Sequence, residues 1–234
     1  MFSRVLPFGS ILFLLLILGP SSGTAQTDGA DQEVRPRGRV AFNLLAGRPV
    51  GEFANAAAIG LGWDIEGSLF WKGSDRIALR AALGGVIYGW EREKTGTGMR
   101  RTTTNDLTLL QVGPEYSWPL GNFRPFVHAS VGITSFVTTE NEKDSWWRDG
   151  TETQILGDYT GSMAVGAGLD VKVREGSNPV LLTLGGDYHR NGSARYLTEG
   201  AAVHNPDGSL TMHPSVTQAN LVTFRIGAAF MFDG

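Results

Sequence analysis

Hydrophobic and polar residues alternate with a period of two along most of the chain, which is typical of β-strands. In Gly161–Val173 the odd positions are mainly apolar, and the even positions are small or charged. Most such runs reach the ~9–11 residues that a tilted strand needs to cross a bilayer. The alternation predicts eight strands: Arg39–Gly47, Ala57–Trp71, Ile77–Trp90, Leu107–Trp118, Arg124–Val137, Tyr159–Val173, Val180–His189 and Leu221–Phe232.

The polar faces of these strands indicate which side of a barrel is the inside. They carry mostly Gly, Ala and Ser with few charges, whereas a soluble barrel would present Lys, Glu and Thr to water. Small side chains fit the narrow interior of an eight-stranded barrel, and the bulky apolar faces then meet lipid. The predicted fold is therefore all-β: a closed, antiparallel, up-and-down transmembrane β-barrel of about eight strands.

The links between the predicted strands alternate in length. Three are tight turns rich in Gly, Ser and Asn, and Trp71, Tyr116 and Trp118 lie beside them, where a membrane-interface girdle is expected. Tight turns at one end and long loops at the other are typical of outer-membrane barrels. The long links are Arg48–Asn55, Glu91–Asp106, Thr138–Asp158 and Arg190–Asn220.

Residues 1–25 have the organisation of a secretory signal peptide. Arg4 supplies a positive charge, Val5–Leu18 is almost entirely apolar, and Gly23–Ala25 offers small residues for cleavage after Ala25. We expect residues 26–38 to form a periplasmic leader and residues 39–234 to form the barrel domain.

Composition excludes several function classes. Charged residues make up 18% of the chain and the net charge is −3, without a basic stripe interleaved with aromatics, so no nucleic-acid partner is expected. The absence of cysteine excludes a thiolate metal site and a lipoprotein anchor. The four histidines are scattered, and no glycine-rich motif opens a helix. We therefore expect no metal and no cofactor.

The strand pattern across Arg39–Phe232, the loop Pro49–Phe53 and the aromatic last strand resemble the small bacterial outer-membrane β-barrel proteins, the OmpA/OmpX-like outer membrane protein β-barrel domain. Phe232 matches the aromatic residue of that family's C-terminal assembly signal, although Asp233 and Gly234 follow it. The resemblance implies the bacterial outer membrane as location and its lipids, lipopolysaccharide and assembly machinery as partners. We expect a monomer.

Several inward positions carry charges, and these must pair because an unpaired buried charge costs several kcal/mol. Since acids and bases are mixed, the sequence predicts an ionic network that closes the interior; a narrow, gated ion path is the alternative. The predicted members are Asp64, Glu66, Arg80, Glu115, His128, Asp170, Asp187 and Arg225.

Two long links suggest surface contacts. Arg92, Lys94, Arg100 and Arg101 make Glu91–Asp106 the most basic link, and they are candidates to contact lipopolysaccharide phosphates. The third long link contains Ser145–Arg148 with two tryptophans, which suggests either a folded-over cap or an adhesive patch.

A possible catalytic cluster lies at the end of the seventh predicted strand, where Asp187, His189 and Ser193 are close in sequence. Asp187 and His189 are predicted to face the interior, however, whereas a lipid-modifying site must reach the membrane. We therefore expect a non-enzymatic barrel with a polar, closed lumen that serves structural or surface-interaction roles or limited small-solute passage. The alternatives are an outer-membrane lipid A-modifying enzyme and a soluble exported ligand-binding β-barrel.

Overall fold

The computed structural model describes residues 36–72, 74–94, 99–143, 151–176, 178–205, 207 and 209–232. The predicted signal peptide, the segment Ser145–Arg148 and the last two residues lie outside these ranges. The described elements are a short 3₁₀ helix (Gly51–Asn55) and the strands β1 (Gly38–Pro49), β2 (Gly60–Phe70), β3 (Ile77–Lys94), β4 (Arg100–Ser117), β5 (Phe123–Lys143), β6 (Thr151–Arg174), β7 (Val180–Asn191), β8 (Ser193–Tyr196), β9 (Ala202–His204), β10 (Leu210–Met212), β11 (Ser215–Gln218) and β12 (Leu221–Phe232).

Eight of these strands close into a ring in the order β1-β12-β7-β6-β5-β4-β3-β2. All neighbours are antiparallel, and the ladder that closes the ring runs from the pair Gly38–Phe232 to the pair Pro49–Leu221. The four short strands lie in the link between β7 and β12, where β8 pairs with β11 and β9 pairs with β10. The predicted fold, a closed antiparallel up-and-down transmembrane β-barrel of eight strands, is confirmed. Within the described ranges, no helix has the length and apolar character needed to cross a membrane.

Strand boundaries match the prediction closely inside the barrel and poorly beyond it. β12 has the predicted limits, whereas β3 to β6 continue through most of the predicted links Glu91–Asp106 and Thr138–Asp158. Paired strands replace those loops, since Lys94 pairs with Arg100 and Arg100 pairs with Lys143. We call residues 88–94, 100–106, 137–143 and 151–158 the upper sheet. Its strands are rich in Thr and charges, so they lack the apolar alternation that marks the lipid-facing segments.

Side chains alternate between the two faces of the barrel as the sequence predicts. Leu44 and Met163 are 63% and 64% exposed on the outside, whereas Glu66 and Asp170 are buried inside. Gly166 and Gly168 act as spacers, because a Cβ at either position would collide with a neighbouring inward side chain. An apolar exterior around a charged interior is the arrangement of a membrane barrel and the reverse of a soluble one.

The interior has three layers along the barrel axis. At the tight-turn end, Ala41, Leu181, Ala229 and Met231 form a small apolar cluster against Phe70. Charged residues fill the middle, and a larger apolar cluster fills the long-loop end. The interior is therefore polar through its middle, as predicted, and two apolar clusters that the sequence did not predict lie toward its ends.

Pro114 interrupts the ladder of β4, since proline has no N–H to donate. The pairing between β4 and β5 stops after Val112–Val131 and resumes at Glu115–His128 in the same register. The interruption is thus a local break without a bulge.

Candidate functional site

The middle layer of the barrel brings together seven of the eight residues predicted for the ionic network. These seven residues lie at inward positions on six of the eight barrel strands, so closure of the ring makes them neighbours. We call this group, with Arg39 added, the lumen cluster: Arg39, Asp64, Glu66, Arg80, His128, Asp170, Asp187 and Arg225.

Glu66 lies at the centre of the lumen cluster and is fully buried. Its Oε2 lies 3.3 Å from Nη1 of Arg39, and its Oε1 is the partner of both Arg80 and Arg225. One carboxylate on β2 therefore ties together guanidinium groups from β1, β3 and β12. Because each charge-assisted hydrogen bond is stronger than a neutral one, Glu66 is the main electrostatic link of the cluster.

Asp187 on β7 forms the second link. It is ion-paired with Arg225, and its Oδ1 lies 2.7 Å from Nε2 of His128. Nδ1 of His128 lies 3.5 Å from Nη1 of Arg80, so the ring bridges an arginine and a carboxylate. Asp64 is held mainly by Asn43, whose Nδ2 donates to Oδ1 at 2.5 Å.

Arg39 is a central residue that the sequence analysis missed. It is 0% exposed, and its Nε and Nη2 each lie 2.8 Å from an oxygen of Asp170. Nη2 also donates to Thr183 at 3.1 Å, and the guanidinium lies 5.4 Å from the centre of the Phe126 ring. Arg39 has the same parity as the inward Asn43, so the alternation of the first strand contains the signal that would have found it.

Glu115 is the predicted member that the structure leaves outside the lumen cluster. It is buried nearer the tight-turn end, and its Oε2 accepts a hydrogen bond from Ser68 at 3.0 Å. No ion pair to Glu115 is present among the described residues. Its neighbour Arg124 instead donates to Ser117 at 2.6 Å and stacks over Phe70 at 4.3 Å.

An aromatic group fills the interior above the lumen cluster. We call Phe53, Tyr88, Phe136 and Tyr196 the aromatic cap; their ring centres are 4.9 to 6.4 Å apart, mostly edge to face. Phe53 comes from the 3₁₀ helix after β1 and Tyr196 from β8, so two long links supply half of the cap. The hydroxyl of Tyr196 lies 2.7 Å from Oγ1 of Thr217, and burial raises the pKa of Tyr196.

The space left inside the barrel is small. A cavity of about 20 Å³ lies beside the lumen cluster, between Asp64, Arg80, His128 and Arg225 on one side and Thr223 on the other. Such a volume accommodates about one water molecule. The side chains of the lumen cluster therefore pack closely around this cavity.

The basic residues of the predicted Glu91–Asp106 loop lie on two faces of the upper sheet. Lys94 and Arg100 are exposed and paired across strands, and Arg100 is paired with the exposed Lys143. Arg92 lies on the same face, with its guanidinium 4.1 Å from the ring of Trp90. Arg101 lies on the opposite face, where it is ion-paired with Glu142.

The predicted catalytic cluster does not assemble. Asp187 is engaged by Arg225 and His128, whereas Nε2 of His189 lies 3.1 Å from Oγ1 of Thr223. Both side chains are buried inside the barrel, and Ser193 is an exposed residue of β8. Within the described part of the chain, no group of three or more His, Asp or Glu residues could hold a metal ion.

No family model matches the chain, and no curated protein matches it. Solved structures of outer-membrane β-barrel proteins do match. OprG from Pseudomonas aeruginosa is 10% identical with a TM-score of 0.47, over 87% of this chain and 100% of that one. Ail of Yersinia pestis, in complex with the heparin analogue sucrose octasulfate, is 9% identical with a TM-score of 0.45, over 85% and 99%. The outer membrane protease OmpT from Escherichia coli is 9% identical with a TM-score of 0.38, over 84% and 96%.

These matches include a protease, and a barrel fold does not by itself imply an activity. The strand pairing of the chain itself, with its ring of eight strands, defines the fold.

Proposed function

We propose that the protein is a non-enzymatic barrel of the bacterial outer membrane whose interior is closed to solutes and which acts through its external surface. Residues 1–25 are the export signal, residues 26–37 are the periplasmic leader, and the aromatic end of β12 is recognised by the assembly machinery. The tight turns then face the periplasm and the upper sheet faces the cell exterior. The folded protein is a monomer.

The observation that carries this proposal is the filled interior. Three arginines converge on Glu66 across the middle of the barrel, and the cavity of about 20 Å³ beside them is too small for a hydrated ion. The aromatic cap adds a second, apolar layer on the long-loop side. Water and ions would have to cross both layers.

Conductance across a planar lipid bilayer tests the closed interior. The full-length mature protein is refolded in detergent, and its folded state is checked by the difference in gel mobility between unheated and heated samples. We expect a heat-modifiable band and no stepwise conductance. Stable conductance steps from protein with that band would contradict the closed interior and favour small-solute passage instead.

A second role is favoured by the row of cations on the upper sheet. Lys94, Arg100 and Lys143 occupy directly opposed positions on three adjacent strands. Like charges in such positions destabilise a sheet, so an anion that neutralises them is favoured there. We propose that this row binds phosphates in the core region of lipopolysaccharide.

The matched test measures binding of lipopolysaccharide in detergent by two variants in which glutamine replaces a cation. Removing the row in the triple variant Lys94→Gln, Arg100→Gln, Lys143→Gln should weaken binding and flatten its salt dependence. Arg101→Gln serves as control, because Arg101 lies on the other face and is already paired with Glu142. Equal binding by the triple variant and the unmodified protein would exclude this role.

A further inference from the structure

The outer surface of β1, β12 and β7 carries an unusual pair of cations. Arg48 and Arg190 are the last outward-facing residues of β1 and β7 at the long-loop end, and both are exposed. β12 separates them, so their strands are about 10 Å apart by the usual strand spacing. Arg48, Val222 and Tyr188 form one cross-strand row, and Arg190 is the next outward residue after Tyr188 on β7, one step nearer the long-loop end.

Neither arginine has a polar partner in the described part of the chain. The outward positions of β1, β7 and β12 contain no acidic residue. The acid next in sequence is Glu52 on the 3₁₀ helix, and it makes no ion pair with Arg48. Two unpaired cations at the boundary of an apolar wall therefore lack any counter-charge from the protein itself.

A shallow, open apolar groove lies on the same outer wall, on the tight-turn side of this row. Two small residues form its floor, since Ala167 on β6 is paired with Gly186 on β7. Its sides are formed by Leu184, Tyr188, Val222 and Phe224. Gly186 lies four residues below Arg190 on the same strand. A depression of this kind in the hydrocarbon layer loses van der Waals contacts unless another apolar chain fills it.

We propose that Arg48, Arg190 and this groove form a binding site for one lipid A molecule of the outer leaflet. Its phosphates lie against the two guanidinium groups, which recognise phosphate by bidentate hydrogen bonds. Tyr188 contacts the boundary between headgroup and chain, as tyrosine does at membrane interfaces. One acyl chain of the lipid lies in the groove over Gly186. This inference rests on the outer-membrane placement of the barrel proposed above.

Lipid A is favoured over an ordinary phospholipid by the spacing of the charges. A lipid with phosphates at both ends of its headgroup can occupy two arginines that β12 separates, whereas a lipid with one phosphate can occupy only one of them. The cation row of the upper sheet lies beyond the ends of β1 and β7 and does not belong to this site. Lipid A without core sugars should therefore bind independently of Lys94, Arg100 and Lys143.

Native mass spectrometry of the folded mature protein, released from detergent micelles with added diphosphoryl lipid A, tests the site. We expect the unmodified protein to retain one lipid A molecule, and the double variant Arg48→Gln, Arg190→Gln to retain it at least tenfold more weakly. Ala167→Leu should weaken retention by filling the groove without touching the arginines. Dephosphorylated lipid A and phosphatidylglycerol, with no phosphate and one phosphate respectively, should bind weakly to every form.

Two control variants match these changes. Arg76→Gln with Arg174→Gln removes two exposed arginines at the tight-turn end, and Ala81→Leu enlarges an exposed outward alanine on β3. Both should retain lipid A like the unmodified protein. Equal retention by the Arg48/Arg190 variant, equal losses in the controls, or equal retention of phosphatidylglycerol would overturn the site.

Gel mobility separates failure of this inference from failure of the proposed function. If the unheated protein shows the shifted band of a folded barrel and fractionates with the outer membrane, a negative lipid result rejects only the lipid A site. If the protein instead fractionates as a soluble periplasmic chain, the outer-membrane placement fails and the site fails with it.

Discussion

The lumen cluster and the aromatic cap fill the same barrel with opposite chemistry. The cluster is built from inward residues of the strands themselves, and several of its ion pairs join strands that are not neighbours in the ring, as Arg39 on β1 and Asp170 on β6 do. The cap takes Phe53 and Tyr196 from long links and packs them on strand residues by apolar contact. The difference indicates separate roles: the cluster stabilises the ring, and the cap holds the links over its mouth.

The largest effect should come from removing the central charge of the cluster. Glu66→Gln leaves Arg39, Arg80 and Arg225 without their shared carboxylate, and breaking a buried ion pair costs about 3–5 kcal/mol. We expect the free energy of unfolding, measured by urea titration in detergent micelles, to fall by that amount.

Glu115→Gln is the matched control for this prediction. Glu115 is also buried in the interior, but its described partner is the hydroxyl of Ser68, which a glutamine can accept equally well. Because the charge of Glu115 acts on Arg80 and Arg124 without an ion pair to either, we expect a smaller loss of stability than in Glu66→Gln. If both variants lose the same stability, the convergence of arginines on Glu66 does not stabilise the ring.

An intermediate effect is expected from the cap. Phe53→Ala removes a fully buried ring that contacts Tyr88, Phe136 and Tyr196, and such a change costs about 3 kcal/mol locally. If the cap holds the links, this loss should appear as faster protease cleavage between residues 192 and 220, with less effect on barrel unfolding than Glu66→Gln. Phe42→Ala, at an outward and exposed phenylalanine, should leave the cleavage rate unchanged. If Phe53→Ala lowers the free energy of barrel unfolding as much as Glu66→Gln does and leaves the cleavage rate unchanged, the two regions do not have separate roles.

The two regions also differ in how far the sequence predicted them. Seven members of the lumen cluster follow from strand parity, because an inward charge in a barrel has a definite face and depth. Arg39 has the same parity, but it lies at the start of its strand and the predicted network did not include it. The cap had no such signal: Phe53 and Tyr196 belong to links without periodicity and are brought together only when the ring closes.

The upper sheet shows the same limit of sequence patterns. β12, which faces lipid along its length, was predicted with the limits that the structure gives it. β6 begins at Thr151 instead of the predicted Tyr159, because residues 151–154 are polar on both faces and the adjacent Ile155 and Leu156 do not alternate. Alternation identifies a strand only where one face is forced to be apolar.

The smallest effect should come from a single polar contact at the edge of the cap. Thr217→Val removes the hydroxyl that lies 2.7 Å from the hydroxyl of Tyr196, while it keeps the shape of the side chain. A neutral hydrogen bond contributes about 1 kcal/mol, so cleavage between residues 192 and 220 should accelerate by less than in Phe53→Ala, and barrel unfolding should not change. Thr102→Val on the upper sheet is the control, since its hydroxyl has no described partner. A Thr217 variant that cleaves as fast as the Phe53 variant would show that the hydrogen bond, rather than apolar packing, fixes β8 over the barrel.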